Sequence, residues 1–104
     1  MPMDTSVVIS KLEREWDIDE GFLGLLRNGK FDAAKLERLI ATLKQIRSRD
    51  GDAIGCRLVS LLWYMPIFME WQRERVHEAG GDLKKLDRAS DRVLGQMERI
   101  LGVP

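Results

Sequence analysis

The stretch from residue 52 to residue 79 constrains the fold more than any other, because its pattern starts and ends helical but loses its polar face in the middle. Leu58, Val59, Leu61, Leu62, Trp63, Tyr64, Met65, Ile67, Phe68, Met69 and Trp71 point in every direction around a helix. A helix that is apolar on all sides is normally enclosed by others. If straight, it would be about 42 Å long, too long for a domain of this size. Pro66 offers a remedy: it has no N–H for the carbonyl of Leu62, and its ring crowds the preceding turn at a cost of about 3 kcal/mol. The sequence therefore predicts a kink near residues 62 to 66. The apolar run from Leu58 to Trp71 is interrupted by Glu70 and falls short of the roughly 20 residues that cross a bilayer.

Enclosing such a helix needs partners, and the flanking sequence supplies them. Val8, Ile9, Leu12 and Trp16 recur at helical spacing behind the cap candidates Thr5 and Ser6. A shorter element carrying Phe22, Leu23, Leu25 and Leu26 is expected between Asp19, as its cap, and Asn28-Gly29. Gly21 and Gly24 weaken that assignment. Asp32 is the strongest start signal, with Phe31 and Leu36 spaced as a hydrophobic staple, and the stripe Leu36, Leu39, Ile40, Leu43 and Ile46 predicts a helix over 32–48. A turn is expected over Ser48 to Asp52. Gly80-Gly81 ends the central element and Asp82 caps the last. There Leu83, Leu86, Val93, Leu94, Met97, Ile100 and Leu101 form the stripe, Gly102 terminates it, and Val103 is expected to fold back on Met97. No strand-period alternation or internal repeat appears. The predicted fold class is all-α: one domain over residues 1–104, a helical bundle of four to six helices around a Pro-kinked apolar central helix.

Composition narrows the functional classes. The 104 residues hold 17 basic and 17 acidic side chains, so the formal net charge is zero. The chain as a whole has no electrostatic pull on nucleic acid or anionic lipid. Cys56 is the only cysteine, which excludes an internal disulfide or a cysteine-rich zinc site, and its apolar surroundings predict a buried structural thiol. Met1 to Ser10 lack the basic start and apolar stretch of a signal peptide, so a cytoplasmic location is expected.

No motif for catalysis or cofactor binding emerges, and the chain is read as neither an enzyme nor a cofactor protein. His77 is the only histidine. Glu74-x-x-His77, with Glu70 one turn earlier, matches the carboxylate–histidine pair of di-iron bundles. That chemistry needs a second pair from another helix, and the sequence has none. Glu70, Arg73, Glu74, Arg75 and Glu78 instead look like a solvated face, and no metal is expected. Trp63, Tyr64, Phe68 and Trp71 are core material on the simplest reading, or the walls of a pocket for a flat ligand. Trp16 and Trp71, beside charged residues, are the tryptophans expected at the surface. Gly80-Gly81 lacks the pattern of a phosphate loop.

Two charged segments remain. Arg27, Lys30, Lys35, Arg38, Lys44, Arg47 and Arg49 face only Asp32 and Glu37, seven cations against two anions, a net +5 over residues 27–49. A nucleic-acid-associated regulator could use that segment, although Ala33 and Ala34 occupy the first turn where a recognition helix presents base-reading side chains. The opposite pole is denser: Glu13, Glu15, Asp17, Asp19 and Glu20 place five carboxylates in eight residues. Such a run is either a solvated corner or a docking surface for a basic partner, with Trp16 as its aromatic anchor.

A compact helical chain of this size, free of motifs and carrying the acidic stretch Glu13 to Glu20 with Trp16 beside the core run Leu58 to Trp71, resembles the immunity proteins of bacterial toxin–immunity pairs. The likeness is closest to those of contact-dependent growth inhibition systems. It implies a protein–protein complex that blocks a cognate secreted toxin, often a nuclease. Glu13, Glu15, Trp16, Asp17, Asp19 and Glu20 are then the expected partner-binding residues. The basic segment departs from the overall acidity of many immunity proteins that act on nucleases.

Overall fold

Asp4, Asp32 and Asp82 each sit one residue before a helix and accept hydrogen bonds from its first turn, satisfying donors that no helical carbonyl can reach. In the computed structural model, which describes residues 4–48 and 53–104, six helices follow in order: α1 (Thr5–Glu15), α2 (Phe22–Leu26), α3 (Ala33–Lys44), α4 (Cys56–Trp71), α5 (Arg73–Glu78) and α6 (Leu83–Leu101). No strand occurs among the described residues. The fold is an all-α bundle. The four longer helices form a circuit in which α1 packs on α3, α3 on α6, α6 on α4 and α4 on α1. The short α2 wedges against α1, α3 and α4, and α5 joins α4 to α6.

One apolar cluster draws on all six helices, with Leu12, Phe22, Leu39, Leu62, Val76 and Leu86 fully enclosed. On α6 the buried positions Leu86, Ala89, Val93, Met97 and Ile100 recur at helical spacing, so a single stripe meets α3 and α4. Polar clasps reinforce these seams. Arg99 donates to the carbonyls of Leu43 and Ile46, at 2.8 and 2.9 Å, capping the end of α3 from α6. Arg92 grips both carboxylate oxygens of Glu37.

The central element departs from expectation in its length and its break. Helix α4 runs as one helix through Pro66, and the element is divided from α5 at Gln72. There the backbone N–H is shared between the carbonyls of Phe68 and Met69, both at 3.2 Å. Leu62, Met65 and Met69 around the proline are fully buried, so their packing holds the helix together across the missing hydrogen bond. A later start, at Cys56, and the break at Gln72 dispose of the excess length.

Several local expectations are corrected as well. The cap of α1 is Asp4, not Thr5 or Ser6. Asp19 caps nothing; α2 begins behind Gly21. Helix α3 ends at Lys44, short of residue 48. Cys56 is exposed, because it opens α4 on the outer side of the bundle rather than lying within the apolar run. Gly102 does end α6, with a φ of 85°, but Val103 is 70% exposed and does not fold back into the core. The turn expected at Ser48 to Asp52 lies, apart from Ser48, outside the described residues.

The charge that matters most to this packing is Glu15, which is 1% exposed. Its Oε2 accepts from Arg38 Nε at 2.9 Å and its Oε1 from Arg38 Nη2 at 2.8 Å. Oε1 also accepts the first N–H of α2, from Phe22, at 3.2 Å. Arg38 in turn donates to the carbonyl of Glu20. Its hydrogen bond to Glu15 raises its pKa above the ordinary arginine value. Removing one member of a buried pair strands the other, whereas replacing both with apolar groups does not. Arg38→Met should therefore cost about 3 kcal/mol or more in urea unfolding, and adding Glu15→Met should recover part of that loss. Strict additivity of the two substitutions would show that the pair does not act as a unit.

Candidate functional site

Beyond Glu15 the chain turns sharply, and the acidic stretch divides in two. Glu15 faces inward, and Trp16 is half-buried, its ring meeting Phe68 edge-on at 4.9 Å and lying 6.0 Å from Tyr64. Its Nε1 donates to the carbonyl of Leu61 at 3.2 Å. Both were expected to meet a partner directly; Glu15 is instead enclosed, while Trp16 helps to tie α1 to α4 and keeps part of its surface on a groove. Glu13, Asp17, Asp19 and Glu20 are exposed.

The turn that carries them is held from two sides. Asp17 accepts the backbone N–H groups of Asp19 and Glu20, both at 2.9 Å, and these bonds lower its pKa below the ordinary 3.8, the one from Glu20 contributing most. From beneath, α2 presses its backbone onto the turn. A Cβ on Gly24 would overlap the carbonyl of Asp17, and one on Gly21 the carbonyl of Glu15. The two glycines that weakened the helical assignment are what let α2 approach this closely. Glu13 pairs with Arg57 at 2.8 Å and Glu20 with Arg14 at 3.6 Å. Asp17 and Asp19 have no ion-pair partner among the described residues.

Beside this turn lies an apolar surface. Trp63, Ile67 and Trp71 are four residues apart on one side of α4 and are 51%, 40% and 63% exposed. Ile18, at the tip of the acidic turn, is 55% exposed. Tyr64 stands half-buried between the tryptophans, its ring 5.3 Å from that of Trp63 and 5.8 Å from that of Trp71, both nearly edge-on. Two grooves flank it. The larger, of about 560 Å³, runs between Ile18, Trp71 and Arg75. The smaller, of about 330 Å³, lies between Trp16, Arg57 and Trp63. Arg27 and Tyr64 border both, and the Arg27 guanidinium sits 5.3 Å from the centroid of Phe68, within cation–π range.

The sequence reading of the aromatic cluster is thus split by the structure. Phe68 is core and Trp71 is surface, as expected, but Trp63 is exposed and Trp16 is not. The missed signal was the i, i+4, i+8 spacing of Trp63, Ile67 and Trp71, which sets three large apolar side chains on one line. The basic segment is divided too: Arg38 is committed to Glu15 and Arg27 to the aromatic face, while Lys30, Lys44 and Arg47 are exposed. Arg49 lies outside the described residues. Glu70, Glu74 and His77 are all exposed, and no cluster of three potential metal ligands occurs among the described residues. None of the described helices is long and apolar enough to cross a membrane. Comparison with protein-family models, curated proteins and solved structures finds no match for the chain.

Two measurements check the construction of the turn. Because the folded pKa of Asp17 is depressed, its hold on the turn is complete above the ordinary carboxylate value and is lost as pH falls through the lower folded value. In an NMR titration the Asp19 and Glu20 amide shifts should move with a midpoint below 3.8; a midpoint at or above it would contradict the hydrogen bonding described. Gly24→Ala forces backbone apart from backbone and should cost about 3 kcal/mol in thermal or urea unfolding, whereas a loss under about 0.5 kcal/mol, typical of an innocuous surface change, would show that the contact is slack.

Proposed function

We propose that this chain is a non-enzymatic binding protein that neutralises a cognate secreted toxin, a nuclease in the first instance, by covering it with the surface built on Trp63, Ile67, Trp71 and Ile18. The observation that carries this reading is the exposure of two tryptophans on one apolar line of a helix whose other sides are packed. Exposed apolar patches of this kind mark interaction sites, and tryptophan, tyrosine and arginine are the side chains that dominate protein–protein binding energy. Tyr64, Arg27 and Arg57 border the same line.

The acidic turn supports the same reading in a revised form. Asp17, Asp19 and Glu20 form an anionic edge next to Ile18, suited to steering a basic partner, while Glu15 and Trp16 act by positioning that edge. A nuclease, whose substrate groove is positive, has the complementary charge. The resemblance to immunity proteins agrees with this size, helical character and division of surface. The nucleic-acid reading of residues 27–49 loses Arg38, which is committed to Glu15.

The test is growth rescue. A toxin encoded beside this chain's gene should be neutralised by co-expression of the wild-type chain, and Trp63→Ala combined with Trp71→Ala should abolish rescue. Each substitution should weaken the complex by about 2 kcal/mol or more while leaving the unfolding midpoint nearly unchanged. Rescue that survives the double substitution would remove the aromatic surface from the interface. Tight, salt-sensitive binding of DNA or RNA in a mobility-shift assay, with no rescue, would overturn the proposal in favour of a nucleic-acid regulator.

A further inference from the structure

The larger groove beside Tyr64 has features that apolar docking alone does not require. Gln72 lines it at the break between α4 and α5. It is nine-tenths buried, yet its side-chain amide makes no hydrogen bond among the described residues. No fully sealed side-chain nitrogen or oxygen lacks a partner among those residues, so this amide retains an opening to the groove. Its two donors and its acceptor are thus accessible from the groove and engaged by no protein group among the described residues.

Two guanidinium groups stand on the same groove. Arg27 makes no side-chain hydrogen bond and no ion pair among the described residues, and its guanidinium lies over the face of Phe68. Arg75 donates through Nη1 to the backbone carbonyl of Arg27 at 2.8 Å and likewise has no carboxylate partner among them. That single bond fixes one arginine against the backbone of the other and leaves the rest of the Arg75 fork unused. Trp71 and Ile18 provide apolar walls, and Asn28 adds a second amide at the rim. The groove therefore joins two cations without a carboxylate partner among the described residues, an unpartnered amide and an exposed indole within one concavity.

We infer that this groove is the anchor pocket of the proposed docking surface and takes an acidic side chain of the partner, aspartate or glutamate, that is followed by a large apolar one. The carboxylate meets the Arg27 and Arg75 forks, the adjoining peptide group meets the Gln72 amide, and the apolar side chain rests against Trp71. Guanidinium forks recognise carboxylates with directed, charge-assisted hydrogen bonds. The outer edge of the same face carries the opposite sign, at Asp17, Asp19 and Glu20. A partner must then present an anion to one side and cations to the other, which fixes its orientation. This inference rests on the reading of the aromatic face as a protein-docking surface, and it does not require the partner to be a toxin.

Blocked dipeptides test it on the full-length protein by NMR. Ac-Glu-Phe-NH2 should shift the Trp71 indole and Gln72 side-chain amide signals saturably. It should bind about fivefold or more tightly than the uncharged Ac-Gln-Phe-NH2, as expected where charge-assisted bonds replace neutral ones. Ac-Lys-Phe-NH2 should leave both signals in place. Arg27→Gln, a change at an exposed side chain, should bring the Glu and Gln peptides to equal affinity, and Arg75→Gln provides an independent second variant. Equal binding of the Glu and Gln peptides to the wild type would overturn the inference. So would a matching response to inorganic phosphate or to oligo(dT), which would define a phosphate site instead. Failure of growth rescue with the peptide preference intact would sink the toxin-neutralising role alone. The reverse result would sink the pocket alone.

Discussion

The fold turns on one buried carboxylate. Glu15 ends α1, accepts the first N–H of α2 and grips Arg38 from α3, so three helices converge on two oxygen atoms. The start of α2 has no side-chain cap of its own, since Gly21 precedes it, and a residue from the previous helix does that work. A carboxylate removed from water costs several kcal/mol unless its lone pairs are filled, and here three hydrogen bonds fill them. The same demand that fixes Glu15 therefore fixes the path of residues 16 to 21, because the chain has to come back for Phe22 to meet Glu15. Arg38 closes the loop by reaching the carbonyl of Glu20. The acidic turn is thus a by-product of a core interaction, with its outward side chains left over for other purposes.

The opposing constraint comes from α4, which carries more apolar surface than its neighbours can cover. Helices α1, α2, α5 and α6 pack against it, and Leu58, Leu61, Leu62, Met65, Phe68 and Met69 satisfy them. Among the described residues the side occupied by Trp63, Ile67 and Trp71 has no helix over it, and Ile18, Arg27, Arg57 and the Trp16–Tyr64 contact border it. A circuit of four helices leaves such a side open on any member that is apolar all round. The bundle thus concentrates its surplus hydrophobicity on one surface, next to the one turn that α1 and α2 hold rigid.

Much of the fold was readable from the sequence. Asp32, Asp82, Gly80-Gly81 and Gly102 mark helix ends through local chemistry, and the stripes of α1, α3 and α6 follow the helical period. The break at Gln72 was not readable, because Pro66 is the only strong local signal in that stretch and Gln72 carries none. How the charged and aromatic segments divide between core and surface was less legible. A run of carboxylates looks uniform in sequence, and nothing local separates Glu15, which points at Arg38 from a helix 23 residues later, from Glu13, which meets Arg57 at the surface. Gly21 and Gly24 looked like helix breakers because their value lies in a contact with residues 15 and 17. For the same reason Trp16 and Trp63 exchanged the roles expected of them: a tryptophan's exposure depends on which helix lies opposite, a property of the circuit rather than of its neighbours in the chain.

The glycine contact beneath the acidic turn has a consequence for how such a chain could diversify. With α2 pressed against the backbone of residues 15 to 18 and Asp17 engaged with its own amides, the path of the turn does not depend on which side chains stand at Ile18 and Asp19. Those positions are free to vary in size and charge without refolding anything below them. If the face docks a partner as proposed, its outer positions could drift while Glu15, Gly21, Gly24 and Arg38 stay the same, and related chains would share a scaffold while differing in what they bind.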